Sequence, residues 1–145
     1  MSRVIAIANQ KGGVGKTTTA INLGASLAVA ERRTLIVDID PQANASSGLG
    51  LSRSEASPNI YDVLVRREPL GRATHREIHF PFLDLVPSTR DLVGAEIEMV
   101  GMQARETILR EALSGVRDDY DFVLVDCPPS LGLLTLNTLV AADSV

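Results

Sequence analysis

Two lysines bracket a run of glycines, and two threonines follow: Lys11-Gly12-Gly13-Val14-Gly15-Lys16-Thr17-Thr18. Glycines let a backbone turn tightly and aim several N–H groups into one anion-binding concavity. Lys16 would place a compact cation on the β- and γ-phosphates of a nucleotide, and the Thr17 hydroxyl is a hard oxygen ligand suited to Mg2+. Of the 14 lysines and arginines in the chain, Lys11 and Lys16 are the lysines, and arginine fills every other basic position. Lysine is thus kept where a small, flexible point charge suits a phosphate better than a planar fork. Three acids complete the chemistry. Asp38 and Asp40 end one apolar run, and Asp126 ends another.

These groups need elements to hold them. Val4-Ile5-Ala6-Ile7-Ala8 reads as a buried strand before the loop, and residues 19–28 read as the helix after it. Strand, glycine loop, Lys-Thr and helix form the context that a phosphate-binding loop requires. The helix start adds free N–H groups and partial positive charge. The bland alternative is a glycine-rich turn with no ligand and an exposed Lys11. Residues 34–40 read as a second strand, apolar enough to be buried on both faces of a parallel sheet. Its Asp38 and Asp40 point to the same side by period-2 geometry, and the alternative is a pair of strand-end caps. Residues 41–50 are a loop by composition. Asn59 is a candidate N-cap for a helix over 60–65. Residues 82–87 form a short strand stopped by Pro87, followed by a helix through Leu92, Val93, Ile97 and Val100. Residues 103–113 read as a further helix with Ile108, Leu109, Ala112 and Leu113 inward. A further apolar strand ends in Asp126 and residues 133–142 form a helix, after which Asp143-Ser144-Val145 approach another strand. Strands alternating with helices predict an α/β domain, a mostly parallel sheet flanked by helices.

The 145 residues match one domain, and 45% hydrophobic content supplies a core of Val, Ile, Leu and Ala. A net charge of -4 gives no global basic footprint for nucleic acid. Arg72, His75, Arg76 and His79 read as a solvated patch, and the two histidines lack the spacing of a metal site. Cys127 cannot form an internal disulfide and reads as a packing residue, which fits a reducing cytoplasm. Met99 and Met102 read as core filler. The start is a strand rather than a signal peptide, and no stretch approaches a membrane span.

The loop departs from the common phosphate-loop pattern, with Gln10 where a glycine is expected and Lys11 ahead of the glycines. Asn9-Gln10-Lys11-Gly12-Gly13-Val14-Gly15-Lys16-Thr17-Thr18 closely resembles the deviant Walker A loop of the ParA/MinD family of ATPases. Asp38-Ile39-Asp40-Pro41-Gln42-Ala43-Asn44 resembles the ParA/Soj branch, and Asp126-Cys127-Pro128-Pro129-Ser130-Leu131-Gly132 resembles the family's second switch. The resemblance implies a P-loop fold that binds ATP and Mg2+ and hydrolyses ATP slowly as a dimerisation switch. It implies that Gly12, Gly13, Val14, Gly15, Lys16, Thr17 and Thr18 cradle the phosphates. Thr17 would ligate Mg2+, Asp38 and Asp126 would hold it through water, and Asp40 would orient the attacking water. Lys11 would reach the partner's phosphates across a homodimer. A ParB-type activator, nonspecific DNA binding, a cytoplasmic and nucleoid-associated location without membrane anchoring, and a role in chromosome or plasmid partitioning follow in the same way. A MinD-like positioning ATPase and a non-hydrolysing nucleotide-binding fragment are the rival readings. The resemblance spans residues 1–145 but only the first part of a typical member, with later strands, adenine contacts, DNA-binding arginines and C-terminal helices expected beyond Val145.

Overall fold

The computed structural model describes residues 2–8, 14–52, 54–129 and 132–145, with residues 14–16 described by backbone alone. The strands are β1 (Arg3–Ile7), β2 (Thr34–Asp38), β3 (Leu83–Val86) and β4 (Phe122–Asp126). The helices are α1 (Val14–Val29), α2 (Asn44–Gly48), α3 (Ile60–Leu64), α4 (Leu92–Val100), α5 (Ile108–Ser114) and α6 (Leu133–Ala141).

All four strands are parallel, in the order β1-β4-β2-β3. The chain steps outward from β2 to β3, then returns to insert β4 between β1 and β2. Helices therefore cover both faces, and the strand order reverses next to β4. Open α/β sheets bind ligands at the carboxyl ends of strands at such a point. Every residue of β2 is buried, as its continuous apolar run requires in a parallel sheet.

Strand alternation divides the core in two. Leu35, Val37, Val123 and Val125 face α3, α4, α5 and α6 through Ile60, Leu92, Met99, Leu109 and Leu134. Ile36, Leu83, Leu85 and Leu124 face the other way, against Ala28, Ile21 and Leu27 of α1 and against Ala45 and Leu49. Asp38 and Asp126 share strand parity with Ile36 and Leu124, which places both on the α1 side of the sheet.

Asn59 caps α3 as its sequence position suggests. It accepts from Tyr61 N–H at 3.0 Å, and Asp62 returns the favour to the Asn59 N–H at 2.9 Å. Met99 is fully buried, Met102 packs beside it, and Cys127 is buried within the strand end.

Three stretches differ from their sequence reading. The strand read over 34–40 ends at Asp38, and Asp40 lies past it in a turn where its carboxylate accepts from the Gln42 N–H. The 41–50 loop contains α2, although its composition is Ser, Ala, Asn and Gly. This helix is held by tertiary bonds: Ala45 and Ser46 are buried, and Ser46 is tied to Asp38. The helix expected over 103–113 begins at Ile108. Residues 103–107 are turns, with Ala104 at φ 52° and the Thr107 hydroxyl donating to Ala104 O. The cause lies on another element: buried Asn137 accepts from Leu109 N–H at 3.1 Å and donates to Arg105 O at 2.7 Å, fixing where the helix starts.

Both sheet edges are paired. His75 exchanges backbone hydrogen bonds with Leu85 at 2.7 and 2.9 Å beside β3. On the far edge, Ser144 lies parallel to Ile5, and Ala6 N–H donates to Ser144 O at 2.8 Å, so the approach to another strand is present as expected. Among the described residues no helix is long and apolar enough to cross a membrane.

Candidate functional site

The site is the carboxyl end of β4 and β2 facing the start of α1. Asp126 is in register with Ile7 on one side and Asp38 on the other, so two carboxylates sit on adjacent strands. Both are fully buried, and Asp40 is 3% exposed just past the end of β2. Thr17, half-buried in the first turn of α1, points its hydroxyl at Asp126 Oδ2, 3.4 Å away. That distance is long for a hydroxyl donor, so the hydroxyl gives up little when it turns to a better partner.

Asp38 is held on both oxygens. Oδ2 accepts from the Ser46 hydroxyl at 2.7 Å and the Ser46 N–H at 2.9 Å, and Oδ1 accepts from the Asp40 N–H at 3.2 Å. Burial nonetheless pushes the Asp38 carboxyl up to about 7, opposed by the Ser46 hydroxyl and reinforced by the charge of Asp126. Asp40 Oδ1 accepts from the Gln42 N–H at 3.0 Å, which turns the chain sharply after β2. The Asp40 carbonyl takes the Ser88 hydroxyl at 2.6 Å. A cleft of about 770 Å³ opens beside this network, bordered by Gln42, Asn44, Ser46, Ser88 and Arg90.

Two buried carboxylates side by side are costly without a cation, and the strongly raised Asp38 records that cost. With the Thr17 hydroxyl they form an all-oxygen set suited to a hard divalent ion. Among the described residues no group of three or more His, Cys, Asp or Glu could enclose a metal. Mg2+ is a hard ion that prefers oxygen ligands and takes few protein ligands beside substrate phosphates.

The fold thus gathers Thr17, Asp38, Asp40 and Asp126, which lie far apart in sequence. Lys11, Gly12 and Gly13 lie outside the described residues, as do Ser130 and Leu131 of the second switch-like segment. For Val14, Gly15 and Lys16 the backbone opens α1, and their side chains lie outside the description. Thr18 is exposed on the first turns of α1. Sequence reasoning missed Ser46 and Ser88. Both sit in loop-like stretches where serine is common, and no spacing ties either to the aspartates.

The family model for the AAA domain matches residues 2–145. The chain is 56% identical over 145 residues to the chromosome partitioning protein ParA of Myxococcus xanthus, covering 100% of this chain and 51% of that protein. It is 52% identical over 148 residues to the sporulation initiation inhibitor protein Soj of Bacillus subtilis, covering 57% of it. Among solved structures, cobyrinic acid a,c-diamide synthase from Mycobacterium smegmatis with bound ADP and magnesium superimposes with a TM-score of 0.92 at 43% identity, over 98% of this chain and 57% of that one. A plasmid partition protein from Borrelia burgdorferi gives a TM-score of 0.86 at 29% identity, over 99% and 63%. The chain spans about half the length of the curated relatives it matches.

Proposed function

Since this chain belongs to the AAA domain family, and since its likeness to ParA and Soj proteins runs from end to end, we propose that it binds ATP with Mg2+ and belongs to a slow ATPase switch for DNA partitioning. The observation that carries the reading is the convergence of Thr17, Asp126 and Asp38 where the carboxyl edge of the sheet meets the first turn of α1. Relatives of this fold bind ADP or an ATP analogue with magnesium, which supports the same ligands here.

Lys16 and the N–H groups of Gly12 to Thr18 hold the phosphates, in a loop where the helix start favours anions. The Thr17 hydroxyl would be a direct Mg2+ ligand, and Asp126 and Asp38 would hold the ion through water. A bound Mg2+ would supply charge neutralisation to the phosphates. Asp40 orients the attacking water; its carboxylate accepts from the Gln42 N–H and its carbonyl from the Ser88 hydroxyl. Lys11 adds positive charge across a homodimer, since the transferring phosphoryl group needs charge stabilisation more than covalent help. A ParB-type activator and nonspecific DNA are the partners the family resemblance supplies.

Light scattering with ATP and Mg2+ tests this reading on the wild type, Lys11→Ala, Lys16→Ala and Asp40→Ala. The wild type and Asp40→Ala should bind nucleotide and dimerise, Lys11→Ala should bind yet stay monomeric, and Lys16→Ala should lose binding. Unimpaired nucleotide binding by Lys16→Ala, or none by the wild type, would refute the assignment.

A further inference from the structure

The roles above leave the groups behind Asp38 unexplained. Ser46 is 3% exposed, and both of its donors land on one oxygen, Asp38 Oδ2. A hydroxyl has a single proton, and the Ser46 oxygen is itself an acceptor: Ser88 N–H donates to it at 3.0 Å. With a lone pair taken by Ser88, the Ser46 proton is directed at Asp38. Ser88 is 2% exposed and anchors at its other end, its hydroxyl donating to Asp40 O at 2.6 Å. The β3 exit and α2 therefore converge on the end of β2 from outside. Oδ2 is occupied by two donors, while Oδ1 accepts, among the described residues, from Asp40 N–H alone at 3.2 Å. One oxygen is therefore held by two short bonds and the other by one longer bond.

We propose that Ser46, its hydroxyl aimed by the Ser88 N–H, is a positioning residue that orients the Asp38 carboxylate toward bound Mg2+. Short helix α2 then links the loop after β2 to metal affinity. The inference rests on the reading that Asp38 faces the Mg2+ shell. Partners behind a metal-facing group characteristically change metal affinity by about 10- to 100-fold when removed.

The test uses the 145-residue chain and a fluorescent ATP analogue, titrated once in excess EDTA and once in Mg2+. The ratio of the two affinities is the Mg2+ gain. Ser46→Ala should lose about 10- to 100-fold of that gain while its affinity in EDTA stays at the wild-type value. Ser46→Thr, which keeps the hydroxyl, should recover most of it. Ser47→Ala should behave as wild type, because among the described residues that exposed hydroxyl reaches only Ala43 O at 2.9 Å. If Ser46→Ala does not fold, Ser46→Cys carries the same test, being close in size with a weaker donor. A wild-type Mg2+ gain in Ser46→Ala overturns the proposal. So does an equal loss of affinity with and without Mg2+, which is the mark of a purely structural serine. A wild-type chain that binds nucleotide with no Mg2+ gain, or binds none, instead overturns the nucleotide reading on which the proposal stands.

Discussion

Raising the pH of the metal-free chain from 5 to 8 should lower its stability by about 2 to 3 kcal/mol through Asp38 alone. Its carboxyl is pushed from 3.8 to about 7, first by burial and further by Asp126. A group bound more tightly to its proton in the folded state contributes stability that is full below its unfolded value. That contribution is lost as the pH climbs through the folded value. Here the loss spans from about 4 to about 7, because the native carboxyl must ionise while buried beside another acid. Glu55 and Asp143 are shifted downward, by Ser52 and by the Val4 N–H respectively, so they act in the opposite sense and only below their ordinary values of 4.5 and 3.8. The window from pH 5 to 8 is clear of both. For a chain of this length the loss corresponds to about 5 to 10 °C in Tm. Urea unfolding in EDTA, followed by circular dichroism at pH 5, 6, 7 and 8, reads the slope. Asp38→Asn should flatten it. Stability that is level or rising across this range, or a slope that survives in Asp38→Asn, would refute the reasoning.

Three further outcomes are expected. Tyr120 donates to buried Asp84 at 2.6 Å, so Tyr120→Phe should cost about 1 to 3 kcal/mol in urea unfolding by leaving that carboxylate a partner short, and a change under about 0.5 kcal/mol would contradict it. Asn137→Ala strips Leu109 N–H and Arg105 O of their buried partner, so about 3 kcal/mol should be lost, with hydrogen exchange accelerating first at the start of α5. A side chain at Gly132 would overlap the Glu96 carboxylate, which accepts the Leu134 N–H at 3.1 Å in the first turn of α6. Gly132→Ala and Glu96→Ala should therefore each cost about 1 kcal/mol, and the double variant should cost little more than either, since both remove one cap.

The placement of several candidate site residues was legible in the sequence. The β-branched runs before Asp38 and Asp126 mark fully buried parallel strands, and an acid at the end of such a strand has few places to be except a ligand edge. Asn59 announced its helix because a cap is a local device, needing only its own next three residues. The misses have the opposite character. α2 is built from residues that favour turns and forms because Ser46 bonds to Asp38 and Ala45 packs inward. The late start of α5 is imposed by Asn137, nearly thirty residues on. Neither cause leaves a periodic trace in the stretch it shapes.

The residue order alone carries the reading of the loop as a phosphate cradle, the alternation of strands with helices and the two acid-tipped strands, because each depends on neighbours a few positions apart. Which acids meet was decided by the folded sheet. With β4 threaded between β1 and β2, Asp126 comes into register with Asp38 and under Thr17. Added instead at either outer edge of the sheet, β4 would leave a full strand between the two carboxylates. That choice depends on how the crossover helices pack on the two faces, a long-range balance of burial that no local stretch encodes.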